Sequence, residues 1–366
     1  MSNPGKQVLG SAPAIAAVLT LALVGCGTAI NSPSSSPVGT IQPQSQPTTG
    51  PVLGYIWDAS SQGLRPIQGL PGASIVGAAT ISAAGRSAAF IATASSAVSG
   101  MALFLDANGG VFQAPLSGGA MTQVANIPGA NALVLSSAGG YSLITGESIS
   151  GSNIASVISG LPLSPAVRTL DVSGLAPIAG GAASDTGTVA LAVGSGQSGA
   201  SVVAFTGQSA GAQVATARSF GGMQFVPGSD ELVVADGGTG ALTAISHVST
   251  TPASATLSPA GAIASPVALD ITPSGRWVVA ANHAGDVLRI DLTGAVAVTT
   301  LHCSCLPSQV QAMRGSTAGT TVRLVTTGGG PLWIVDAGGA TPRVLFIPAP
   351  LVPTTTTSSA AVRPAL

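Results

Sequence analysis

The segment His302-Cys303-Ser304-Cys305 is the one place in the sequence where metal-binding side chains stand together. Two thiolates bind a soft metal, but at least one further ligand would have to come from elsewhere in the chain. On an extended strand Cys303 and Cys305 point the same way, with their Cα atoms about 6.6 Å apart, which is near the upper limit for a disulfide. Three roles therefore stay open: small buried residues, which the sequence favours, a disulfide in an oxidising compartment, and a metal or redox site.

Two glycine-rich segments match the sequence patterns of known catalytic or cofactor-binding motifs. Residues 194–199 (GSGQSG) match the dinucleotide fingerprint. Residues 207–211 (GQSAG) match the nucleophile elbow around Ser209, with Asp236 and His247 or His283 downstream in the hydrolase order. Both motifs require a helix after the glycines. The first is followed by another strand-like segment and no helix follows the second, so the sequence predicts no catalytic residue, no metal and no cofactor.

The other isolated polar and aromatic residues fit structural roles. His247 and His283 lie near turns with no acid and base beside them, which favours hydrogen-bonded structural histidines. Tryptophans recur at strand positions and predict packing between repeated units: Trp57, Trp277 and Trp333. Aspartates end strands and are expected to bind their own turns, since a calcium site would need several oxygens to converge: Asp171, Asp291 and Asp336.

The elements that carry these residues are short strands separated by glycine-rich turns. In residues 265–294 the strands VALDIT, RWVVAAN and DVLRIDL are separated by PSG and HAG, and AVAVTTL follows. Four strands in about 40–45 residues match one blade of a β-propeller. The last part of this unit, VLRIDLTG, recurs with variations along the chain, as VFQAPLSG (111–118), VRTLDVSG (167–174), PLWIVDAGG (331–339) and, more loosely, YIWDASS (55–61).

The repeats predict an all-β fold, a single β-propeller of four-stranded blades spanning residues 51–350. Seven copies of the third strand and six of the second predict seven blades, with six blades and a closing hairpin as the alternative. The hairpin 55–70 is expected to contribute the outer half of a blade. The wording of 265–294 resembles bacterial YVTN-type and surface-layer propeller repeats, which are WD40-like. That resemblance implies the architecture more than an activity, because such folds serve lactonases, binding modules and scaffolds alike.

Charged residues make up only 6% of the chain, with eleven Lys and Arg against twelve Asp and Glu. No basic stripe is available to neutralise phosphates, so nucleic-acid binding is not expected. Recognition should depend on shape and hydrogen bonds. We expect a monomer.

The first fifty residues predict the location of the protein. Lys6 precedes an apolar run at 14–24, which ends at Gly25-Cys26; this is typical of a secretory signal. The stretch Leu23-Val24-Gly25-Cys26 resembles the lipobox of bacterial lipoproteins. The resemblance implies a signal peptide at 1–25 and lipid attachment at Cys26. In the same resemblance, Gly27 after the cysteine favours the outer membrane over the inner membrane as the location of the anchor. Residues 26–50 and 351–366 are expected to be a disordered tether and tail.

Together these patterns predict a lipid-anchored propeller of the cell envelope, on its periplasmic or surface side. Its expected role is a non-catalytic binding or scaffolding module for a protein or glycan. The alternative is a lactonase- or lyase-like enzyme acting on a small sugar-derived substrate. Such an enzyme would gather side chains from several blades around the axis, and convergence on the channel of three or more of the following would favour it over the binding role: Asp230, His247, Asp270, His283 and Arg314.

Overall fold

The computed structural model describes residues 50–348, except 59–61, 83–87, 95–99, 195–198, 208, 295–296, 315–318 and 327–330. These residues form strands and turns, and none of them is helical. The expected signal peptide, Cys26, tether and tail lie outside the described residues, as does the centre of the 194–199 glycine motif.

The described strands form seven antiparallel sheets, each built from four consecutive strands, which are the seven blades of a β-propeller. Blades 1 to 3 contain β1 Val52–Asp58, β2 Gly63–Leu70, β3 Ala73–Val76, β4 Ile81–Ser82; β5 Ala88–Ala94, β6 Met101–Asp106, β7 Gly110–Pro115, β8 Thr122–Asn126; β9 Ala130–Leu135, β10 Tyr141–Glu147, β11 Asn153–Ser159, β12 Ala166–Thr169. Blades 4 and 5 contain β13 Ile178–Ala183, β14 Val189–Val193, β15 Ala200–Phe205, β16 Ala212–Ala217; β17 Phe220–Phe225, β18 Leu232–Asp236, β19 Leu242–Ser246, β20 Ala253–Ser258. Blades 6 and 7 contain β21 Pro266–Ile271, β22 Trp277–Asn282, β23 Asp286–Asp291, β24 Val298–His302; β25 Pro307–Ala312, β26 Thr321–Thr326, β27 Leu332–Asp336, β28 Arg343–Ile347. The all-β class and the seven blades are as the repeats predict.

Burial follows the position of a strand within its blade. The second strands β14 and β22 are buried along their whole length, because a blade is covered on both sides by its neighbours. The fourth strands lie at the outer edge and alternate between half-buried and exposed residues, as in β24. Serine, threonine and alanine supply much of this outer surface, which accounts for the low charge of the chain.

The core is divided among the interfaces between blades. Seven clusters of buried apolar residues lie in the described chain, one between each pair of neighbouring blades. The ring closes between blades 7 and 1, where Leu53 and Ile67 pack with Met313, Ile334 and Ile347. Apolar packing between the sheets of blades 7 and 1 therefore closes the ring.

Antiparallel order gives the propeller two distinct faces. Turns from the first to the second strand and, in blades 2 to 7, from the third to the fourth lie on one face, which we call the turn face. Turns from the second to the third strand, and the connectors between blades, lie on the other, the connector face. Hydrogen bonds support this division: the 282–286 turn of blade 6 contacts the blade 6–7 connector, where Cys303 N–H donates to Gly285 O at 2.8 Å.

The structure of blade 1 differs from the one that the sequence predicts. Its hairpin was expected to be the outer half of a blade, with YIWDASS in the third-strand position. In the structure β1 is an edge strand that pairs only with β2, and β3 and β4 both pair with the other side of β2. Blade 1 is thus a sheet of its own, only three strands deep, and its outer position is shared by two short strands.

Candidate functional site

The described turns that follow the first strands of blades 3 to 6 lie on the turn face, and those of blades 3, 4 and 5 contact one another. Asp185, in the turn of blade 4, accepts hydrogen bonds from the backbone N–H of Ala138 in blade 3 at 2.6 Å and of Gly228 in blade 5 at 2.8 Å. One carboxylate therefore ties three successive blades together. The predicted turn at Pro273–Gly275 belongs to the same set of turns, and Gly275 there has the positive φ of 72° that glycine adopts without strain.

Asp270 is a half-buried carboxylate near these turns. It lies on β21 and accepts hydrogen bonds from the backbone N–H of Ile271 and of Ala312, both at 2.7 Å, the second from blade 7. Burial raises the pKa of the Asp270 carboxyl, although attraction to Arg314 and hydrogen bonds from Ala312, Ile271 and the Gln224 side chain act the other way. Blades 5, 6 and 7 meet at this one group.

Arg314 crosses from blade 7 toward the opposite side of the ring. The residue is 7% exposed, and its Nη1 donates to Ser137 Oγ in blade 3 at 2.6 Å. Arg314 and Asp270 therefore join four of the seven blades, blades 3, 5, 6 and 7, near the axis. Nothing in the local sequence around either residue indicates this pairing.

The set of residues proposed for an enzyme does not assemble. Asp270 and Arg314 approach each other, but Asp230 binds the 246–250 turn, accepting a hydrogen bond from Ser249 N–H at 2.8 Å. His247 is exposed in a turn on the turn face, and His283 is exposed on the connector face. Of the five residues, Asp270 and Arg314 are the two that the described structure brings together.

The three aspartates bind their own turns, as expected, but only Asp291 and Asp336 end third strands, whereas Asp171 follows β12, the fourth strand of blade 3. The Oδ1 atoms of Asp171, Asp291 and Asp336 accept the backbone N–H two residues ahead, at 3.2, 2.9 and 3.2 Å. Each belongs to a different blade. Among the described residues, no group of three or more His, Cys, Asp or Glu is placed to hold a metal.

A second set of turn-binding residues was missed at the sequence level. Asp106, Asp236 and Asn282 end second strands, and their side-chain oxygens accept N–H groups from the connector-face turns that follow. The signal was available, since each is followed by a glycine within three or four residues. Asp236 therefore caps a turn and is not the acid of a hydrolase triad.

Ser209 also has a local role. Its Oγ donates to Thr206 O at 2.6 Å, and the strand β16 follows. The other glycine motif, at 194–199, is followed by β15. Neither segment has the helix that its motif requires.

The polar residues of blade 6 form a packed cluster. Arg276 makes a two-pronged ion pair with Asp291, at 2.8 Å for the shortest contact. The guanidinium of Arg289 lies 3.5 Å from the centre of the Trp277 ring, and that of Arg276 lies 4.4 Å from it. Arg289 also donates to Gly339 O of blade 7 at 2.8 Å. This cluster joins blades 6 and 7, and within it Arg289 Nε is buried without a hydrogen-bond partner.

The tryptophans pack between blades, as predicted. Trp277 is 4% exposed in the cluster between blades 6 and 7, and Trp333 packs against the same cluster. Trp57 meets Phe104 of blade 2 edge-on, with ring centres 6.2 Å apart.

Cys303 and Cys305 do not lie on an extended strand, and their Cα atoms are closer together than such a strand would place them. Strand β24 ends at His302, so Cys303 and Cys305 lie in the connector to blade 7, with Cα atoms 5.1 Å apart and a disulfide between them. Both residues are buried in the interface between blades 6 and 7. His302 turns away and contacts Asp286 through Nδ1 at 3.1 Å.

Comparison with known proteins bears on the fold. No protein-family model matches the chain, and no curated protein does. Among solved structures, a chain of the mitotic checkpoint complex has a TM-score of 0.51 at 12% identity, over 70% of this chain and 80% of that one. At that identity the likeness shows the fold alone.

Two further solved propellers are similar at lower scores. The Cps50 (Swd1) β-propeller domain of Myceliophteria thermophila has a TM-score of 0.43 at 13% identity, over 81% of this chain and 86% of that one. A protein described as a 6-phosphogluconolactonase, from Bacteroides uniformis, has a TM-score of 0.47 at 14% identity, over 71% and 82%. The strand order by itself shows the seven-bladed propeller.

Proposed function

We propose that this protein is a lipid-anchored β-propeller of the bacterial cell envelope that binds a protein or glycan partner on its turn face and performs no catalysis. The anchor is the lipid on Cys26, as the lipobox-like sequence suggests, and the repeats are of the YVTN type. The partner face is rigid, because hydrogen bonds across blades hold its turns together.

The observation that carries the proposal is the use of the acidic side chains. The chain has ten aspartates, and every one accepts a hydrogen bond from a turn, an arginine or a neighbouring blade: Asp58, Asp106, Asp171, Asp185, Asp230, Asp236, Asp270, Asp286, Asp291 and Asp336. General acid–base catalysis needs a group positioned on the substrate. These aspartate carboxylates are held by hydrogen bonds from the protein itself.

The anchor is tested by growing the bacterium with an alkyne-bearing fatty acid and isolating the protein. The wild-type chain should carry the label in the membrane fraction, and Cys26→Ser should carry none. Equal labelling of both would contradict lipid attachment at Cys26.

The partner face is tested with a photo-crosslinking residue at Leu163, which is 93% exposed in the third turn of blade 3 on the turn face. The matched control is Ile149, fully exposed on the connector face of the same blade. An envelope protein or glycan should crosslink through position 163 and not through 149. Crosslinking through 149 alone, or hydrolysis of a sugar lactone that Asp270→Asn abolishes, would contradict the proposal.

A further inference from the structure

Arg323 lies in the interface between blades 7 and 1 and faces blade 1. Its neighbours on β26, Val322 and Leu324, pack between blades 6 and 7, and successive side chains of a strand point to opposite faces. Its pairing partner on β27, Ile334, packs between blades 7 and 1. The guanidinium of Arg323 is therefore placed in the apolar interface that closes the ring.

This guanidinium has no partner in the described chain. Its Nε is buried without a hydrogen bond, and none of the described ion pairs includes Arg323. Burial lowers the pKa of Arg323 to about 10, and no described carboxylate acts the other way. On the same face of β26, Thr321 Oγ1 is also buried without a hydrogen bond. Blade 7 thus turns a charge and a hydroxyl toward blade 1, and the described part of the fold binds neither.

The described part of blade 1 does not balance this charge. Asp58 lies on the side of β1 that faces blade 7, two residues after Ile56 of the interface cluster, but its Oδ2 accepts a hydrogen bond from Arg65 Nη1 at 3.0 Å. Arg65 pairs with Ile56 across β1 and β2, so it faces the same interface. Blade 1 therefore brings an ion pair that is neutral in itself, and the charge of Arg323 is left over.

The fold does not require an arginine at this position. Arg323 is the third residue of β26, and the third residue of β22 in blade 6 is Val279. Val279 is fully buried between blades 6 and 7, so an apolar side chain fills the matching place there. A buried guanidinium without a counter-charge costs free energy that valine would not. The arginine is therefore better explained by a ligand than by packing.

The outer edge of the Arg323 guanidinium is open to a ligand. Arg323 as a whole is only half-buried, and neither of its Nη atoms is enclosed as Nε is. The parallel N–H groups of a guanidinium match the two oxygens of a carboxylate. One positive charge balances one carboxylate, whereas a phosphate would add a second negative charge beside an Arg65 that is already paired with Asp58.

We propose that the interface between blades 7 and 1 holds a binding site for a small carboxylate, which pairs with the guanidinium of Arg323. This inference depends neither on the lipid anchor nor on the partner face. A bound carboxylate would supply the missing counter-charge, so binding should stabilise the closed ring.

The test follows the Nε–Hε resonance of Arg323 by NMR in the ¹⁵N-labelled full chain, assigned from its loss in Arg323→Lys. Sodium acetate or sodium glucuronate replaces sodium chloride at constant ionic strength, and glucose and inorganic phosphate are titrated in parallel. Acetate and glucuronate should shift the resonance saturably, phosphate more weakly, and glucose not at all. Tighter binding of glucuronate than of acetate identifies an acidic sugar as the source of the carboxylate, and equal binding identifies the free acid.

Two variants separate a ligand site from a structural arginine. Arg323→Met should bind acetate at least about tenfold more weakly, as expected for the loss of charge-assisted hydrogen bonds, and should unfold in urea at a midpoint no lower than that of the wild type. The matched control is Arg289→Met, because Arg289 donates to Gly339 O at 2.8 Å and lies over the Trp277 ring. That change should lower the midpoint and leave the affinity for acetate unchanged.

Several results would overturn the inference. They are the absence of a saturable shift at Arg323, an equal shift with glucose, tighter binding of phosphate than of either carboxylate, and undiminished binding by Arg323→Met. A lower unfolding midpoint in Arg323→Met than in Arg289→Met would also overturn it, since Arg323 would then serve the fold. Arg323→Lys keeps the charge but not the planar edge, so it should fold and bind acetate several-fold more weakly; binding as tight as in the wild type would contradict the paired geometry.

Discussion

Replacing Asp185 with alanine should loosen the turn face without unfolding the propeller. The carboxylate accepts two backbone N–H groups from two other blades, Ala138 at 2.6 Å and Gly228 at 2.8 Å. Buried hydrogen bonds to a charged group contribute about 1.5–3 kcal/mol each. Ala138 and Gly228 are exposed, so in the variant water can take the place of the lost carboxylate as the acceptor. Each hydrogen bond is therefore expected to contribute about 1 kcal/mol.

The assay is hydrogen exchange of the individual backbone amides by NMR. A loss of about 2 kcal/mol corresponds to roughly 30-fold faster exchange if both bonds open together, and about fivefold for each amide if they open separately. The matched control is Asp106→Ala, whose carboxylate binds Asn108 N–H and Gly110 N–H within its own turn. That change should speed exchange in blade 2 only. Unchanged exchange at Ala138 and Gly228 in Asp185→Ala would refute the inference that this carboxylate couples three blades.

Three further predictions follow from buried and paired groups. Phe104 is 1% exposed between blades 1 and 2, so Phe104→Ala should lower the free energy of unfolding in urea by about 3–5 kcal/mol; a change below about 1 kcal/mol would contradict its core position. The pKa of the Asp291 carboxyl lies well below its usual range because Arg276, and then Thr293, donate hydrogen bonds to it. Its stabilisation is fully present above the unfolded pKa of about 3.9 and is lost progressively as the pH falls through the folded value, so Asp291→Asn should cost about 1 kcal/mol at pH 7, since Arg276 is half exposed, and clearly less at pH 2. An equal cost at both pH values would exclude the ion pair as the cause. Finally, Cys303 and Cys305 should resist alkylation in the denatured chain until a reductant is added, and mass spectrometry of the peptide reads this directly; alkylation without reductant would show free thiols.

The sequence repeats predict the seven blades correctly, although the copy at 167–174 was aligned with a third strand and lies at β12, the fourth strand of blade 3. In blade 6 the segments that begin at Trp277 and end at Asp291 are the second and third strands, and Pro273–Gly275 is the turn before them. These features are local, because alternation, glycine turns and strand-ending aspartates all act within a few residues.

Blade 1 was harder to predict because its local pattern departs from the repeat. The YIWDASS segment looks like a third strand, but its position in a sheet depends on which strands follow, and β3 and β4 are too short to be recognised. The polar contacts near the axis depend on closure of the ring. Ser137 and Arg314 are 177 positions apart, so no spacing rule could have joined them.

The affinity of the partner captured through position 163 tests the central claim most directly. It should be measured against the wild-type chain, Asp185→Asn and Asp106→Asn, which lose carboxylates of the same kind from opposite faces. A partner on the turn face should bind Asp185→Asn at least several-fold more weakly and Asp106→Asn as tightly as the wild type. Equal affinity for all three chains, or weaker binding to Asp106→Asn alone, would contradict a turn face that recognises the partner.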